Sequence, residues 1–156
     1  MDDDDFEYLN KYRWHVTPNG YVRRTQRSKM AKNKSGVLII YMHRFIMDLI
    51  HTPRNVMIDH INHNKTDNRK INLRPCTPSQ NLWNSKPRGG ASRYKGVCVR
   101  RRYKTNKWEV RITVYKEEVY LGQFNDESLA AKAYDEAAIK YFGEFALTNF
   151  PKENYN

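Results

Sequence analysis

The centre of the chain is predicted to form a strand, a polar loop and a second strand, and this order most restricts what the protein can fold into. An apolar run at 56–58 leads into Asp59 and His60. The polar residues at 62–68 are typical of a loop, and 71–74 is predicted to be the return strand. Successive side chains of a strand point to opposite sides. We therefore expect a bulge or a turn at Asp59 and His60 that brings both side chains into one cleft.

A helix follows directly, and two signals agree on where it begins. Thr77 is a candidate N-cap with Pro78 in the first helical position, and Gln80 completes a capping box. Asn81 then falls in the first helical turn, where it can face the polar end of the first strand across a small cleft. The resulting order of strand, loop, strand and helix predicts an α+β unit.

The polar residues at this cleft suit phosphodiester hydrolysis. Asp59 and Asn81 offer oxygen donors, which a hard cation such as Mg²⁺ or Mn²⁺ prefers. His60 has an ordinary pKa of about 6.5 and can be a neutral base at pH 7, and metal-assisted attack by water needs such a base. The alternative is that Asp59 and His60 form a turn and that Asn72 and Asn81 only cap local structure.

The charge balance indicates a polyanionic partner. The 156 residues carry 28 Lys and Arg against 17 Asp and Glu, a formal net charge of +11, which favours nucleic acid over a merely well-solvated basic surface. No apolar run approaches the roughly 18 residues of a membrane span. Four aspartates follow Met1, unlike the basic start of a signal peptide, and Cys76 and Cys98 form no C-x-x-C pattern. We therefore expect a protein of the host cytoplasm with no membrane partner and no disulfide scaffold or cysteine zinc site.

The N-terminal segment, 1–40, is predicted to be a β-hairpin lead-in. Pro18–Gly20 lies between two short runs of strand-forming residues, which is a strong hairpin signal. The composition of 26–36 is typical of a mobile loop, and 37–41 is predicted to be a short apolar strand. Apolar residues at helical spacing then predict a helix over 42–50.

A second domain is predicted after a linker at 85–92, which is rich in Lys, Pro, Gly and Ser. The predicted elements are strands at 94–101, 108–115 and 119–124, a turn at 116–118, a helix over 126–142 that Gly143 ends, and a tail at 152–156. Residues 91–124 carry nine Lys and Arg against three Glu, whereas 125–142 carry two Lys against four acids. We therefore predict a three-stranded antiparallel sheet with a basic outer face, packed on one helix whose far side is acidic.

The central motif resembles the HNH endonucleases, most closely their phage homing branch, whose motif runs Asp-His-Ile-Asn-x-x-Lys-x-Asp-Asn-Arg-x-x-Asn-Leu-Arg. The matching residues are Asp59–Asn62, Lys65, Asp67–Arg69 and Asn72–Arg74. The resemblance implies a ββα-metal nuclease unit over 41–84 that binds one divalent cation. It also implies that His60 is the general base, that Asp59 and Asn81 are the metal ligands, and that Asn72 braces the loop and orients His60.

Two further positions bear on this resemblance. Asn81 stands where many HNH enzymes carry a final histidine, which fits the homing branch and favours Mg²⁺ or Mn²⁺ over a softer metal. His43 and Arg44 match the helix that precedes the family motif. We assign no catalytic role to His43, which we expect either to be buried or to face phosphate.

The C-terminal part resembles the Apetala-two/ethylene-response-factor DNA-binding domain. The matching residues are Ser92–Val97, Trp108, Ile112, Leu121–Phe124, Ala130–Ala138 and Asn149–Pro151. Over 93–151 the resemblance implies a three-stranded sheet that lies in the major groove of double-stranded DNA, with a helix behind it. The family's arginine or tryptophan is replaced at Cys98, Arg102, Thr113, Glu118 and Tyr120, so the family's preferred DNA site does not carry over.

Strand alternation predicts which side chains of this domain face the DNA. The inward set is Val97, Val99, Trp108, Val110, Ile112, Val114, Val119 and Leu121. The outward set is Lys95, Cys98, Arg100, Arg102, Glu109, Arg111, Thr113, Tyr115 and Tyr120. Arginine forks suit guanine edges and phosphates. In the linker, Lys86 and Arg88 are candidates for tracking the DNA backbone or minor groove, and a merely solvated linker is the alternative.

The sequence therefore predicts a metal-dependent HNH endonuclease of the homing type, in which the N-terminal part cuts and the C-terminal sheet positions the enzyme on DNA. The first alternative is a catalytically silent DNA-binding regulator, and a structural or RNA-binding role is the second. One active site per chain suits a monomer that nicks or a homodimer that cuts both strands. The homing branch also fits a phage-encoded chain that acts in a host cell.

Overall fold

A computed structural model describes residues 1–29, 31, 34–53, 56–87, 89–100 and 107–155, without the side chain of Arg100. These residues form two compact units, Met1–Pro78 and Ser79–Asn156. Both units combine helices with antiparallel sheet, which confirms the predicted α+β class. Within this part of the chain, no helix is both long enough and apolar enough to cross a membrane.

The first unit opens with two short elements that the sequence analysis missed, a 3-10 turn at Asp3–Asp5 and α1 (Phe6–Leu9). The next strands, β1 (His15–Val16), β2 (Val22–Arg27) and β3 (Val37–Tyr41), form an antiparallel sheet in chain order. The predicted hairpin is confirmed, and Gly20 at φ 82° supplies the left-handed backbone of its turn. Of the predicted loop at 26–36, residues 26 and 27 belong to β2, while 30, 32 and 33 lie outside the described residues.

The helix predicted over 42–50 is shorter in the structure. It forms α2 (Met42–Ile46), and Asp48 at φ 53° stands in the left-handed region, which cannot continue a right-handed helix. The guanidinium of Arg44 holds the chain beyond the helix by donating hydrogen bonds to backbone carbonyl oxygens. The accepting residues are Leu49, Thr52 and Val56, at 2.7, 3.2 and 2.9 Å.

The polar centre of the first unit is a two-stranded antiparallel ribbon of β4 (Met57–His60) and β5 (Leu73–Cys76). The bulge or turn expected at 59–60 is wrong, because the pairing is unbroken through Asp59 with Arg74 and His60 with Leu73. The ribbon stays regular there because Asp59 meets an oppositely charged partner directly across the strands. A 3-10 turn at Lys70–Asn72 precedes β5, so the return strand begins two residues later than predicted.

Helix α3 spans Pro78–Trp83, and all of it except Pro78 belongs to the second unit. The second unit also contains a three-stranded antiparallel sheet, with its strands in chain order. Its strands and long helix are β6 (Val97–Arg100), β7 (Lys107–Val114), β8 (Glu117–Phe124) and α4 (Glu127–Phe142), followed by 3-10 turns at Gly143–Phe145 and Lys152–Tyr155. The structure confirms that α3 begins at Pro78 and that α4 ends before Gly143, as predicted. Trp83 stacks on Phe142 with 4.5 Å between the ring centroids and so packs α3 against the core of this unit.

The hairpin between β7 and β8 differs from its prediction. The turn expected at 116–118 is wrong, because the chain turns at Tyr115 and Lys116, whose φ angles are 48° and 76°. A two-residue hairpin loop in a type I′ turn has positive φ at both positions. Glu117 and Glu118 therefore already belong to β8.

The core of the second unit forms where α4 packs on the sheet. Val110 and Ile112 are buried against Ala130 and Ala138, as strand alternation predicts for these two positions of β7. Leu129 of the same helix is 54% exposed. Small side chains let a helix approach a sheet closely and so exclude water from the core.

Candidate active site and nucleic-acid interface

The best candidate for a general base is His60, the last residue of β4. Its side chain is buried, and its ring centroid lies 5.2 Å from that of His43 and 6.2 Å from that of Tyr21. Burial lowers the pKa of His60 below its ordinary value, and the hydrogen bond with Asn68 and the negative charge of Asp59 only partly oppose this. His60 is therefore held neutral over a wider pH range than an exposed histidine.

A residue to which the sequence analysis gave no role, Asn68, touches His60 directly. Its side chain is fully buried, and its Oδ1 lies 3.2 Å from Nε2 of His60. The other end of the amide, Nδ2, donates to the backbone carbonyl of Thr66 at 3.2 Å. The only signal for this contact in the sequence is the place of Asn68 within the Asp67–Arg69 part of the motif.

The loop between β4 and β5 is tied together by Asn72, which is itself buried. Its Oδ1 accepts a hydrogen bond from the backbone N–H of Asn62 at 2.9 Å, and its Nδ2 donates to the carbonyl of Asp67 at 2.8 Å. These contacts suit the bracing role that the resemblance implies for Asn72. The hydrogen bond described for the His60 ring is with Oδ1 of Asn68.

The charged side chains around this loop are paired. Arg69 donates to both carboxylate oxygens of Asp67 at 2.8 Å, which lowers the pKa of that carboxyl group. Nζ of Lys70 lies 2.8 Å from Oδ1 of Asp5, and its backbone N–H donates to Asp2 at 2.7 Å. Asp2 and Asp5 therefore contact the end of the loop between β4 and β5.

Asp59, a predicted metal ligand, has different neighbours from His60. Its Oδ2 accepts hydrogen bonds from Nε and Nη2 of Arg74 at 3.0 and 2.8 Å, and both side chains are largely buried. Asn81, the other predicted ligand, lies in α3 and belongs to the second unit, so its role stays a prediction. The described residues include no group of three or more His, Cys, Asp or Glu side chains that could hold a metal ion.

Of the two expectations for His43, burial is the correct one. The residue is 8% exposed, and its ring stacks on that of Tyr41 with 5.5 Å between the centroids. Burial, together with the nearby His60 and Arg44, lowers its pKa to about 3. Nδ1 of His43 has no hydrogen-bond partner among the described residues. His43 is thus a neutral, buried ring that packs against the ring of His60.

The outer face of the second unit's sheet carries both signs of charge. Arg111 donates to Oε1 of Glu109 at 2.6 Å and also pairs with Glu118. Glu109 was predicted to face DNA, but its side chain is only 6% exposed and pairs with Arg111. Asp135 does not belong to the predicted acidic outer side of α4, because it is fully buried. It accepts hydrogen bonds from Asn149, Phe150 and Tyr155.

Two predicted contact residues, Thr113 and Tyr120, are exposed on this outer face. Tyr115 is also exposed, but it lies in the turn between β7 and β8 and its ring contacts that of Trp83. Alternation is interrupted at one point of β8, because Val110 pairs with Gly122 and the next pair is Arg111 with Tyr120. Leu121 is the extra residue of this bulge and packs against the core, while Tyr120 keeps its outward direction.

The outward direction predicted for Lys95 is wrong. Its side chain is partly buried, and Nζ donates to the backbone carbonyl of Trp83. Burial lowers the pKa of Lys95 to about 8. The cause is Gly96, whose φ of 76° interrupts the strand alternation just before β6. Among the other predicted contacts, Lys86 is exposed, whereas Arg88, Arg102 and the side chain of Arg100 lie outside the described residues.

Comparisons with known proteins match both units. The profile of the HNH endonuclease family matches residues 41–82. An uncharacterized HNH endonuclease of Acanthamoeba polyphaga mimivirus is 32% identical over 149 residues, which cover 94% of this chain and 71% of the viral protein.

The C-terminal part is similar to plant proteins. An APETALA2-like protein of Oryza sativa subsp. indica is 42% identical over 69 residues, or 43% of this chain. An ethylene-responsive transcription factor of Arabidopsis thaliana is 44% identical over 68 residues, or 42% of this chain. The chain spans 15% of the length of each of these two plant proteins.

Proposed function

Because this chain belongs to the HNH endonuclease family, we propose that it is a metal-dependent endonuclease that hydrolyses phosphodiester bonds of double-stranded DNA, in the manner of a homing enzyme. The observation that carries the proposal is the setting of His60. Its imidazole is buried at the end of β4, held by Asn68, and kept neutral by a lowered pKa. A general base must be unprotonated at the working pH to accept a proton from water.

The residues available for a metal are consistent with a hard divalent cation. Asp59 and Asn81 offer a carboxylate and an amide oxygen, and Mg²⁺ is commonly held by one or two such groups together with water and substrate phosphate oxygens. The cation would stabilise charge on the phosphate and promote ionisation of water. We propose that Asp59 and Asn81 hold one Mg²⁺ or Mn²⁺ ion.

The reaction needs one proton acceptor from the protein. His60 takes a proton from the attacking water, the water oxygen forms a bond to phosphorus, and the bond to the leaving sugar oxygen breaks. The leaving oxygen receives a proton from solvent. Asn72 supports this step by holding the loop between β4 and β5 closed behind His60.

The second unit is proposed to position the enzyme on DNA. Its outer face presents Arg111 together with the exposed Thr113 and Tyr120, and the chain as a whole carries a large positive charge. Phosphate contacts supply affinity that is sensitive to salt, whereas contacts with base edges supply sequence preference. The similarity to plant transcription factors supports this division of labour.

The proposal is tested with supercoiled plasmid DNA in Mg²⁺, Mn²⁺ or EDTA. Wild-type protein is expected to cleave only with metal, and His60→Ala to lower the cleavage rate by about 10²–10⁴-fold while DNA binding in a gel-shift assay is retained. His51→Ala is the matched control, because His51 is an exposed histidine outside the site. A nicked product indicates a monomer acting on one strand, and a linear product indicates that both strands are cut.

The alternative function is a DNA-binding regulator without nuclease activity. The test uses a plasmid that carries a sequence to which the protein binds. If this plasmid stays intact after incubation with the protein and Mg²⁺ or Mn²⁺, the result favours the regulator. Loss of DNA binding in a folded His60→Ala protein would contradict the separation of cutting from binding. The other alternative, an RNA-binding role, is tested by measuring whether DNA or RNA of equal length competes better for the protein.

A further inference from the structure

The orientation of the buried Asn68 amide is fixed by its surroundings. Nδ2 lies 3.2 Å from the backbone carbonyl oxygen of Thr66. A carbonyl oxygen can only accept a hydrogen bond, so the group facing it must be the NH₂ end of the amide. The oxygen end, Oδ1, therefore faces Nε2 of His60 at 3.2 Å.

This orientation decides which nitrogen of His60 carries the hydrogen. An amide oxygen accepts and cannot donate, so Nε2 must be the donor of the bond between them. A neutral imidazole has one N–H group, and the other ring nitrogen then bears the lone pair. Asn68 therefore favours the tautomer with hydrogen on Nε2 and the basic lone pair on Nδ1.

We propose that Asn68 is a positioning residue that sets the tautomer of His60 and thereby makes Nδ1 the atom that accepts the proton of the attacking water. The proposal rests on the proposed role of His60 as general base. An orienting hydrogen bond on the far nitrogen of a catalytic histidine keeps the imidazole in the reactive tautomer and geometry, and its loss lowers turnover strongly. The family resemblance implies an orienting role for Asn72, whose described hydrogen bonds are with the loop backbone.

The competing explanation is that Asn68 only stabilises the loop. Other asparagines already do so: Oδ1 of Asn64 accepts from the backbone N–H of Thr66 at 3.1 Å and from its hydroxyl at 2.7 Å. Asn64 is exposed and has no described contact with His60. Asn64→Ala is thus a matched control, because it removes two hydrogen bonds of the same loop.

The first test is nitrogen-15 NMR of the histidine rings in the full-length chain, without metal or DNA. His60→Ala identifies the His60 signals. Wild-type His60 is expected to show a protonated Nε2 and an unprotonated Nδ1. A wild-type His60 with hydrogen on Nδ1 overturns the proposal, and this readout does not depend on any nuclease activity.

The second test compares Asn68→Leu, Asn68→Asp and Asn64→Ala by kcat, KM and the same NMR signals. Asn68→Leu is expected to lower kcat at least about tenfold, with KM little changed and with both tautomers of His60 populated. The aspartate of Asn68→Asp can still accept from Nε2, so this variant is expected to keep the wild-type tautomer and a higher kcat than Asn68→Leu. Asn64→Ala is expected to keep both kcat and the tautomer.

Two results would overturn the proposal. One is a folded Asn68→Leu protein with the wild-type kcat. The other is an Asn68→Leu protein that has lost kcat although its His60 keeps the hydrogen on Nε2. If Asn68→Leu does not fold, the wild-type spectrum and Asn68→Asp decide the question by themselves. Failure of the proposed function has a separate signature: either wild-type protein cleaves no DNA, or His60→Ala cleaves DNA as fast as wild type.

Discussion

Nη2 of Arg74 lies 2.8 Å from Oδ2 of Asp59, its direct partner across the ribbon of β4 and β5. The two side chains are only 12% and 7% exposed. Each therefore neutralises a charge that would be costly to bury alone. Because Asp59 is a proposed metal ligand, this ion pair connects the stability of the ribbon with the binding of the cation.

Substitution of Arg74 is expected to destabilise the protein most in the absence of metal. Arg74→Met removes the guanidinium beside the buried carboxylate, and breaking such a pair costs about 3–5 kcal/mol in free energy of unfolding. Mg²⁺ is expected to recover part of this loss by binding the folded state. Denaturant unfolding in EDTA and in Mg²⁺ measures both effects. Arg69→Met is the control, because the Arg69 side chain is 54% exposed and its loss should change stability less than the loss of Arg74. An equal destabilisation by Arg74→Met with and without Mg²⁺ would show that Arg74 is not coupled to metal binding.

The cleavage rate is expected to resist acid. The pKa of His60 is lowered by burial, and only neutral imidazole can act as the base. The rate should therefore stay on its plateau below pH 6.5 and fall only when His60 becomes protonated. Single-turnover cleavage measured from pH 5 to 8 tests this. A half-maximal rate at or above about pH 6.5, the ordinary value for histidine, would contradict it.

The stability of the first unit is expected to fall as the pH drops below 6.5. The unfolded chain takes up a proton at His43 near its ordinary pKa, whereas the folded chain does so only at about 3. Between these values the unfolded state binds more protons, so His43 contributes stability that is lost at about 1.4 kcal/mol for each pH unit. Denaturant unfolding between pH 7 and 5 measures the slope. His43→Phe should flatten it, and His51→Phe, at an exposed position, should leave it unchanged.

The second unit is expected not to tolerate a side chain at position 96. A Cβ on Gly96 would lie 1.9 Å from the ring of Tyr134, and the backbone there has a φ of 76°. Gly96→Ala therefore combines overpacking with left-handed strain, and we expect a loss of more than about 2 kcal/mol in unfolding free energy. Gly143→Ala is the control, because φ is 54° but no atom lies within 4 Å of the added Cβ. Thermal unfolding of both variants tests the difference, and an equal effect would rule out the steric cause.

The two glutamates beside Arg111 are expected to weaken its contact with DNA. Arg111→Ala should reduce affinity, and if the side chain binds phosphate, the salt dependence should also decrease by about one unit of slope. Glu118→Gln should raise affinity, since it removes a carboxylate that pairs with Arg111 and repels phosphate. Glu117→Gln makes the same charge change at a residue with no described contact to Arg111. Fluorescence anisotropy at several salt concentrations measures these effects, and weaker binding by Glu118→Gln than by Glu117→Gln would contradict the interpretation.

Local signals predicted the elements whose causes lie within a few residues. The strand at 37–41, the start of α3 at Pro78 and the end of α4 at Gly143 agree with the structure. Apolar patterning, capping and glycine geometry act over one or two turns, so they are visible in the sequence. The prediction of a turn at 116–118 was wrong because Tyr115 and Lys116 adopt positive φ angles although neither is a glycine or asparagine, the residues that usually indicate such angles in a sequence.

The sequence by itself determined which residues are candidates for the site, because Asp59, His60 and Asn72 belong to a short motif with fixed spacing. Tertiary structure decided what each of them touches. Asp59 pairs with a residue fifteen positions away, and the ring of His60 is held by Asn68, eight positions away, and packs against His43 from another element. Likewise, the partner of Lys95 Nζ is a backbone carbonyl twelve residues earlier in the chain. Burial and hydrogen-bond partners depend on how distant segments pack, and no local pattern encodes them.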